Sequence, residues 1–143
     1  MYEGSCLCGA VRYEISGELG AFGYCHCTSC RKASGSAHAA NAPVERSRFR
    51  LASADTLREF ESSPGKFRSF CGRCGSPIYA YLSASPDLLR IRLGSLDTPF
   101  SKQPQAHTWV SDKAPWEPIE GSLPQFPEWA PRSVLEQKGS RQP

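Results

Sequence analysis

From residue 4 to residue 94 the chain runs in short stretches of alternating apolar and polar side chains, broken by turn residues. Val11, Tyr13 and Ile15 alternate with Arg12 and Glu14, the period of a half-buried strand. Two further runs, residues 57–61 and 66–70, flank Ser63-Pro64-Gly65; Pro followed by Gly suits a type II turn and predicts a hairpin. Residues 78–82 predict another strand, and Leu89, Ile91 and Leu93, alternating with Arg90 and Arg92, predict one more. The pattern is that of a mainly β chain. One short helix is expected from Thr28 to Ser34, capped by Thr28 or Ser29 and ended by Gly35 in the left-handed conformation.

After Thr98 the character changes. Eight of the twelve prolines and all three tryptophans (Trp109, Trp116, Trp129) lie there. Proline resists regular structure, and the aromatics predict an arm laid over the strands. The last stretch, 132–143, is poor in apolar residues and is expected to be mobile. The expected organisation is therefore one domain over residues 1–131 and a tail over 132–143.

Composition narrows this little: 39% hydrophobic and 22% charged residues in 143 are ordinary for a soluble domain. No basic region followed by an apolar run opens the chain, and no stretch approaches the ~18 apolar residues of a membrane span. The expected address is the cytoplasm, with no membrane partner. Seven cysteines beside one methionine change the picture. In a reducing compartment such thiols are more often metal ligands or catalytic groups than disulfides, and an odd number does not close a disulfide framework. Their spacings, Cys-x-Cys twice and Cys-x-x-Cys twice, suit a tetrahedral ion. The formal charge of +3 counts all seven thiols as neutral. Seven thiolates with two zinc ions would bring the protein to about zero. Basic residues are also scattered among acidic ones, so the charge argues against a nucleic-acid partner.

Cys6-Leu7-Cys8-Gly9 and Cys71-Gly72-Arg73-Cys74-Gly75 each end in glycine, which lets the backbone turn tightly and aim amides at sulfur. Together the two knuckles make a closed four-thiolate site, structural in role. Cys25-His26-Cys27-Thr28-Ser29-Cys30 supplies three thiolates and no eighth cysteine exists. Two outcomes stay open: His26, His38 or His107 closes the site, or the fourth position is free for a water, a carbonyl oxygen or a thiolate. Arg31 and Lys32 beside it read equally as a solvated helix face or as contacts for ligand carboxylates. His107, Trp109, Ser111, Lys113 and Trp116 form a second polar-aromatic cluster, read first as packing of the arm.

With these motifs in hand, the chain resembles the glutathione-dependent formaldehyde-activating enzyme (GFA) family, which includes the centromere protein V domain. The matching segments are residues 4–11 around Cys6 and Cys8, residues 25–32 around Cys25, Cys27 and Cys30, and residues 70–77 around Cys71 and Cys74. His107 and Trp116 also look like the family's C-terminal positions, so the likeness runs roughly from Gly4 to Trp129. It implies several short coiled antiparallel β-sheets around zinc knuckles, related to zinc ribbons, with one short helix. It implies a structural zinc on Cys6, Cys8, Cys71 and Cys74 and a catalytic zinc on Cys25, Cys27 and Cys30. The implied activity is that of a carbon–sulfur lyase, joining glutathione and formaldehyde as S-hydroxymethylglutathione. A thiol carrier and a two-zinc interaction module are the competing readings.

Overall fold

Each strand expected from alternation forms, and in the computed structural model, which describes residues 1–135, the strands assort into two open sheets. The smaller sheet joins β1 (Tyr2–Ser5), β2 (Arg12–Ile15) and β5 (Phe49–Ser53) in the order β1-β2-β5, all antiparallel. The larger contains β3 (Gly23–Cys25), β4 (Ala39–Glu45), β6 (Leu57–Ser63), β7 (Lys66–Cys71), β8 (Pro77–Leu82), β9 (Ser85–Arg92) and β10 (His107–Thr108). Its order is β10-β3-β4-β9-β8-β7-β6, antiparallel except where β10 runs parallel to β3. The β6–β7 hairpin turns at Pro64-Gly65, with Gly65 at φ +77 as a type II turn requires.

The main core fills the space between the sheets. Tyr13 and Ile15 from the small sheet, with Val11 just ahead of β2, meet Ala42, Val44, Tyr79, Leu89 and Ile91 from the large one, each 5% exposed or less. Burying one such aliphatic side chain stabilises the fold by about 1.5–3 kcal/mol. Cys6 and Cys71 belong to the same cluster, so the four-cysteine knuckles close one end of the core.

Helix α1 (Thr28–Ser34) has the expected bounds, and Gly35 ends it at φ +65. Its cap differs from expectation: Cys27, with extended backbone, accepts the Cys30 N–H on its sulfur, so neither Thr28 nor Ser29 caps the helix. The proline-rich arm does lie on the strands. It contributes β10 as an edge strand, and Ala106 O lies so close to β3 that a Cβ on Gly23 would stand 2.6 Å from it. The tail expected from residue 132 opens instead with a helical turn, α2 (Arg132–Leu135), and Leu135 is buried. Residues 136–143 of that tail lie outside the described residues. Among the described residues no helix is long and apolar enough to cross a membrane.

Candidate metal centres and their surroundings

All seven cysteines are free, and their sulfurs gather into the two expected groups. Within each group the sulfurs lie within 4.8 Å of one another. A tetrahedral zinc with bonds of about 2.3 Å places its sulfurs roughly 3.8 Å apart. Cys6 and Cys8 Sγ are 3.6 Å apart and Cys8 and Cys71 Sγ 3.8 Å, so the four-thiol group fits such an ion. The knuckle glycines do what the spacing requires. Gly9 (φ +79) donates to Cys6 O at 3.0 Å and Gly75 (φ +80) donates to Cys71 O at 2.8 Å, folding each loop around its sulfurs. Val11 N–H then points at Cys6 Sγ (3.2 Å) and Arg73 N–H at Cys71 Sγ (3.4 Å). Amide and hydroxyl donors favour thiolate. The Ser76 hydroxyl and backbone hold Cys74 down at about 5, and the Thr56 hydroxyl lowers Cys71.

The three-thiol group sits where β3 passes into α1. Cys27 and Cys30 are buried against Ala39, with Cys25 and Trp109 packed beside them. Contact with its two partner thiols holds the Cys30 thiol far below its ordinary value, while the same partners and burial raise Cys25. No histidine or carboxylate among the described residues joins the group. The three histidines are engaged elsewhere. His26 Nε2 lies 2.8 Å from His107 Nδ1, and His38 stacks on Tyr24 with ring centroids 4.1 Å apart. Burial, reinforced by His38 and His107, pushes His26 down to about 4, so it is neutral at pH 7. The His107–Trp116 cluster divides: His107 is buried in this stack, Trp109 packs on the thiols, and Trp116 is 68% exposed. Beside Cys25 and Cys30 lies a recess of about 30 Å³, walled by Asn41, Arg90, Thr108 and Trp129. That is room for a water or an ion and little more.

What the sequence reading missed is the cationic face of the large sheet. By register Phe60, Arg68, Ala80 and Arg90 line up across β6 to β9, and Arg92, Asn41 and Gly23 extend that row to β3, two residues from Cys25. Lys66, Arg68, Arg90 and Arg92 are each more than nine-tenths buried, with Ala33 of α1 beside Arg68 and Arg92, and Cys30 of α1 and Thr108 and Trp129 of the arm beside Arg90. Arg92 donates to Asn41 Oδ1 and bonds toward Cys30. The signal was in the sequence as basic residues at alternate strand positions. Alternation alone does not say that the polar face is covered.

Burial, then the neighbouring Arg68, Arg90 and Arg92, push Lys66 down to about 6, with the Cys30 thiolate opposing. Between pH 6 and the unfolded value near 10.5 the unfolded chain therefore binds the extra proton, and stability rises with pH across that window. Lys66→Met, apolar and of similar length, should stabilise the protein by about 1–4 kcal/mol near pH 6. In thermal melts the gain should shrink toward pH 10. A gain independent of pH would mean that Lys66 keeps its charge in the fold.

A thiol-rich β scaffold with one four-sulfur and one three-sulfur group offers two cysteine clusters that could hold metal ions. The family model for glutathione-dependent formaldehyde-activating enzyme matches residues 1–112, and the chain belongs to that family. A protein of Halomonas elongata named "Putative glutathione-dependent formaldehyde-activating enzyme" is 30% identical over 129 residues, spanning 84% of this chain and 82% of its own. The crystal structure of a Rhodobacter sphaeroides protein superposes with a TM-score of 0.58 at 24% identity, over 69% of this chain and 91% of that one, a likeness of fold alone.

Proposed function

We propose that this chain is a zinc enzyme of the cytoplasm, a carbon–sulfur lyase that joins a glutathione-type thiol to formaldehyde or another small aldehyde, and reverses that step. The observation that carries this reading is the three-thiol group of Cys25, Cys27 and Cys30, gathered for a metal and offered no fourth donor by the described residues. Cys6, Cys8, Cys71 and Cys74 would hold a second, structural ion. In the reaction the sulfur bonds to the aldehyde carbon, the carbonyl π pair moves to oxygen, and the thiol proton ends on that oxygen. Zinc at the three thiols would supply the positive charge that takes the proton from a thiol of pKa near 8.5 at neutral pH.

The chain's own residues do the rest. Three cysteines fix the ion at the base of α1, and Arg92, next to Cys30, offsets the negative charge of the thiolates. His26 is turned away into its bond with His107, which leaves the exposed Ser29 or a water to protonate the new alkoxide. Arg31, with Nη2 3.4 Å from Thr28 Oγ1, and the exposed Lys32 are the proposed outer contacts for ligand carboxylates.

The test is a rate. With glutathione and [13C]formaldehyde, exchange spectroscopy should show faster formation of the S-hydroxymethyl carbon in the presence of zinc-loaded protein, and no acceleration with Cys27→Ser. Tight glutathione binding without any acceleration would make the protein a carrier rather than an enzyme.

A further inference from the structure

A cavity of about 300 Å³ lies between α1 and the cationic face of the large sheet, within the range of small-ligand sites. Phe60, Phe70, Ala33 and Pro77 give it apolar walls, and Arg68 and Arg92 give it charge. Arg68 is 7% exposed; its Nε donates to Ser62 Oγ at 2.9 Å, while both Nη1 and Nη2 are buried without a partner. A guanidinium left with four of its five N–H donors unsatisfied is costly, because charged donors removed from water need acceptors. Cys30 does not satisfy it: Arg68 acts on that thiolate only through space, and the arginine that bonds toward Cys30 is Arg92. Nor does a carboxylate, since none among the described residues pairs with Lys66, Arg68 or Arg92.

The charge balance points the same way. Three thiolates around a divalent ion would carry a net −1, against two buried guanidiniums in Arg68 and Arg92, while Lys66, pushed down to about 6, is neutral at pH 7. The surplus calls for an anion, and the two-pronged guanidinium matches a carboxylate. Arg92 also lines a larger cleft of about 710 Å³ toward Ser5 and His38, so it stands between the cavity, that cleft and the thiols.

We propose that the Arg68–Arg92 cavity is a buried carboxylate subsite, which selects thiols carrying a carboxylate and seats them with the sulfur toward Cys25, Cys27 and Cys30. This rests on the thiol-binding reading above. It places the main recognition of charge on the sheet, beneath α1, and leaves Arg31 and Lys32 at the rim.

The test compares glutathione with glutathione dimethyl ester, which keeps the thiol and masks both carboxylates. The readout is the thiolate charge-transfer band of the cobalt-substituted protein. Wild type should bind glutathione about tenfold to a hundredfold more tightly than the ester, the range expected for one charged bond. Arg68→Met should remove most of that ratio and leave the ester's affinity in place, with Arg68→Lys intermediate. Equal affinity of wild type for the two thiols, or an unchanged ratio in Arg68→Met, overturns the subsite and leaves the thiol reading standing. Should neither thiol move the cobalt band, the thiol reading itself fails. Calorimetry with glutarate, which has carboxylates and no thiol, then judges the cavity alone: binding lost in Arg68→Met supports it, and no binding to wild type overturns it. The wild-type comparisons hold even if Arg68→Met does not fold.

Discussion

Cys71→Ser should lower the melting temperature by at least about 10 °C and release one metal ion, whereas Cys27→Ser should release one ion with little loss of stability. The asymmetry follows from where each sulfur sits. Cys71 has no exposure and belongs with Cys6 to the main core between the two sheets. The metal that its group fits would tie residues 6–8, ahead of β2, to residues 71–74, at the end of β7. Structural zinc contributes an apparent 10–16 kcal/mol in small domains, as much as the whole stability of a typical protein. Cys27 instead lies in the satellite group with Cys30 and Ala39. Its structural task is to cap α1 by accepting the Cys30 N–H at 3.3 Å, and a serine hydroxyl performs that task as well or better. Metal analysis of the purified variants, read beside their thermal melts, checks both halves. Equal loss of stability in the two variants would mean that the groups do not divide into a structural and an open one.

The extent to which the fold and site could be read from sequence depended on which physical signal each part left. Strands such as β2 and β9 were legible because one face meets the core and must be apolar, and α1 because Gly35 marks its end. The grouping of the cysteines was legible because chelate spacing is a local property of the chain, and the glycines after Cys8 and Cys74 confirm it by their positive φ. The cap on α1 was misplaced because Thr and Ser are the commoner caps and sulfur acceptors are easily overlooked. The four buried basic residues were missed for a deeper reason. Lys66 and Arg68, or Arg90 and Arg92, look like the solvent side of any half-buried strand. Only the packing of α1 and the arm across that face, set by contacts distant in sequence, turns a solvated stripe into a charged interior. Leu135 belongs to the same class, since Val134 and Leu135, two adjacent apolar residues in a polar tail, carry no pattern.

Glutathione should bind at least about a hundredfold more tightly than its analogue with alanine in place of cysteine, and only the thiol should release a proton on binding. The alanine analogue is a cleaner comparison than S-methylglutathione. Beside the small recess at Cys25 and Cys30, of about 30 Å³, S-methylglutathione differs from the thiol in bulk as well as in having no proton to lose. Removing the sulfur adds no bulk and keeps both carboxylates, so any residual affinity reports the carboxylate contacts, Arg68 and Arg92 beneath α1 together with Arg31 and Lys32 at the rim. If the thiol binds as its anion, the apparent affinity should rise about tenfold per pH unit below the thiol pKa near 8.5 and level off above it. The sign is fixed by the proton: binding expels it, and higher pH makes expulsion easier. Calorimetric enthalpies measured in buffers of different ionisation heat should then differ by one proton's worth for glutathione and by none for the analogue. Equal affinity for the two peptides would remove the thiol from the site altogether. The enzyme and carrier readings would then fall together, leaving a two-metal module whose buried arginines serve some other anion.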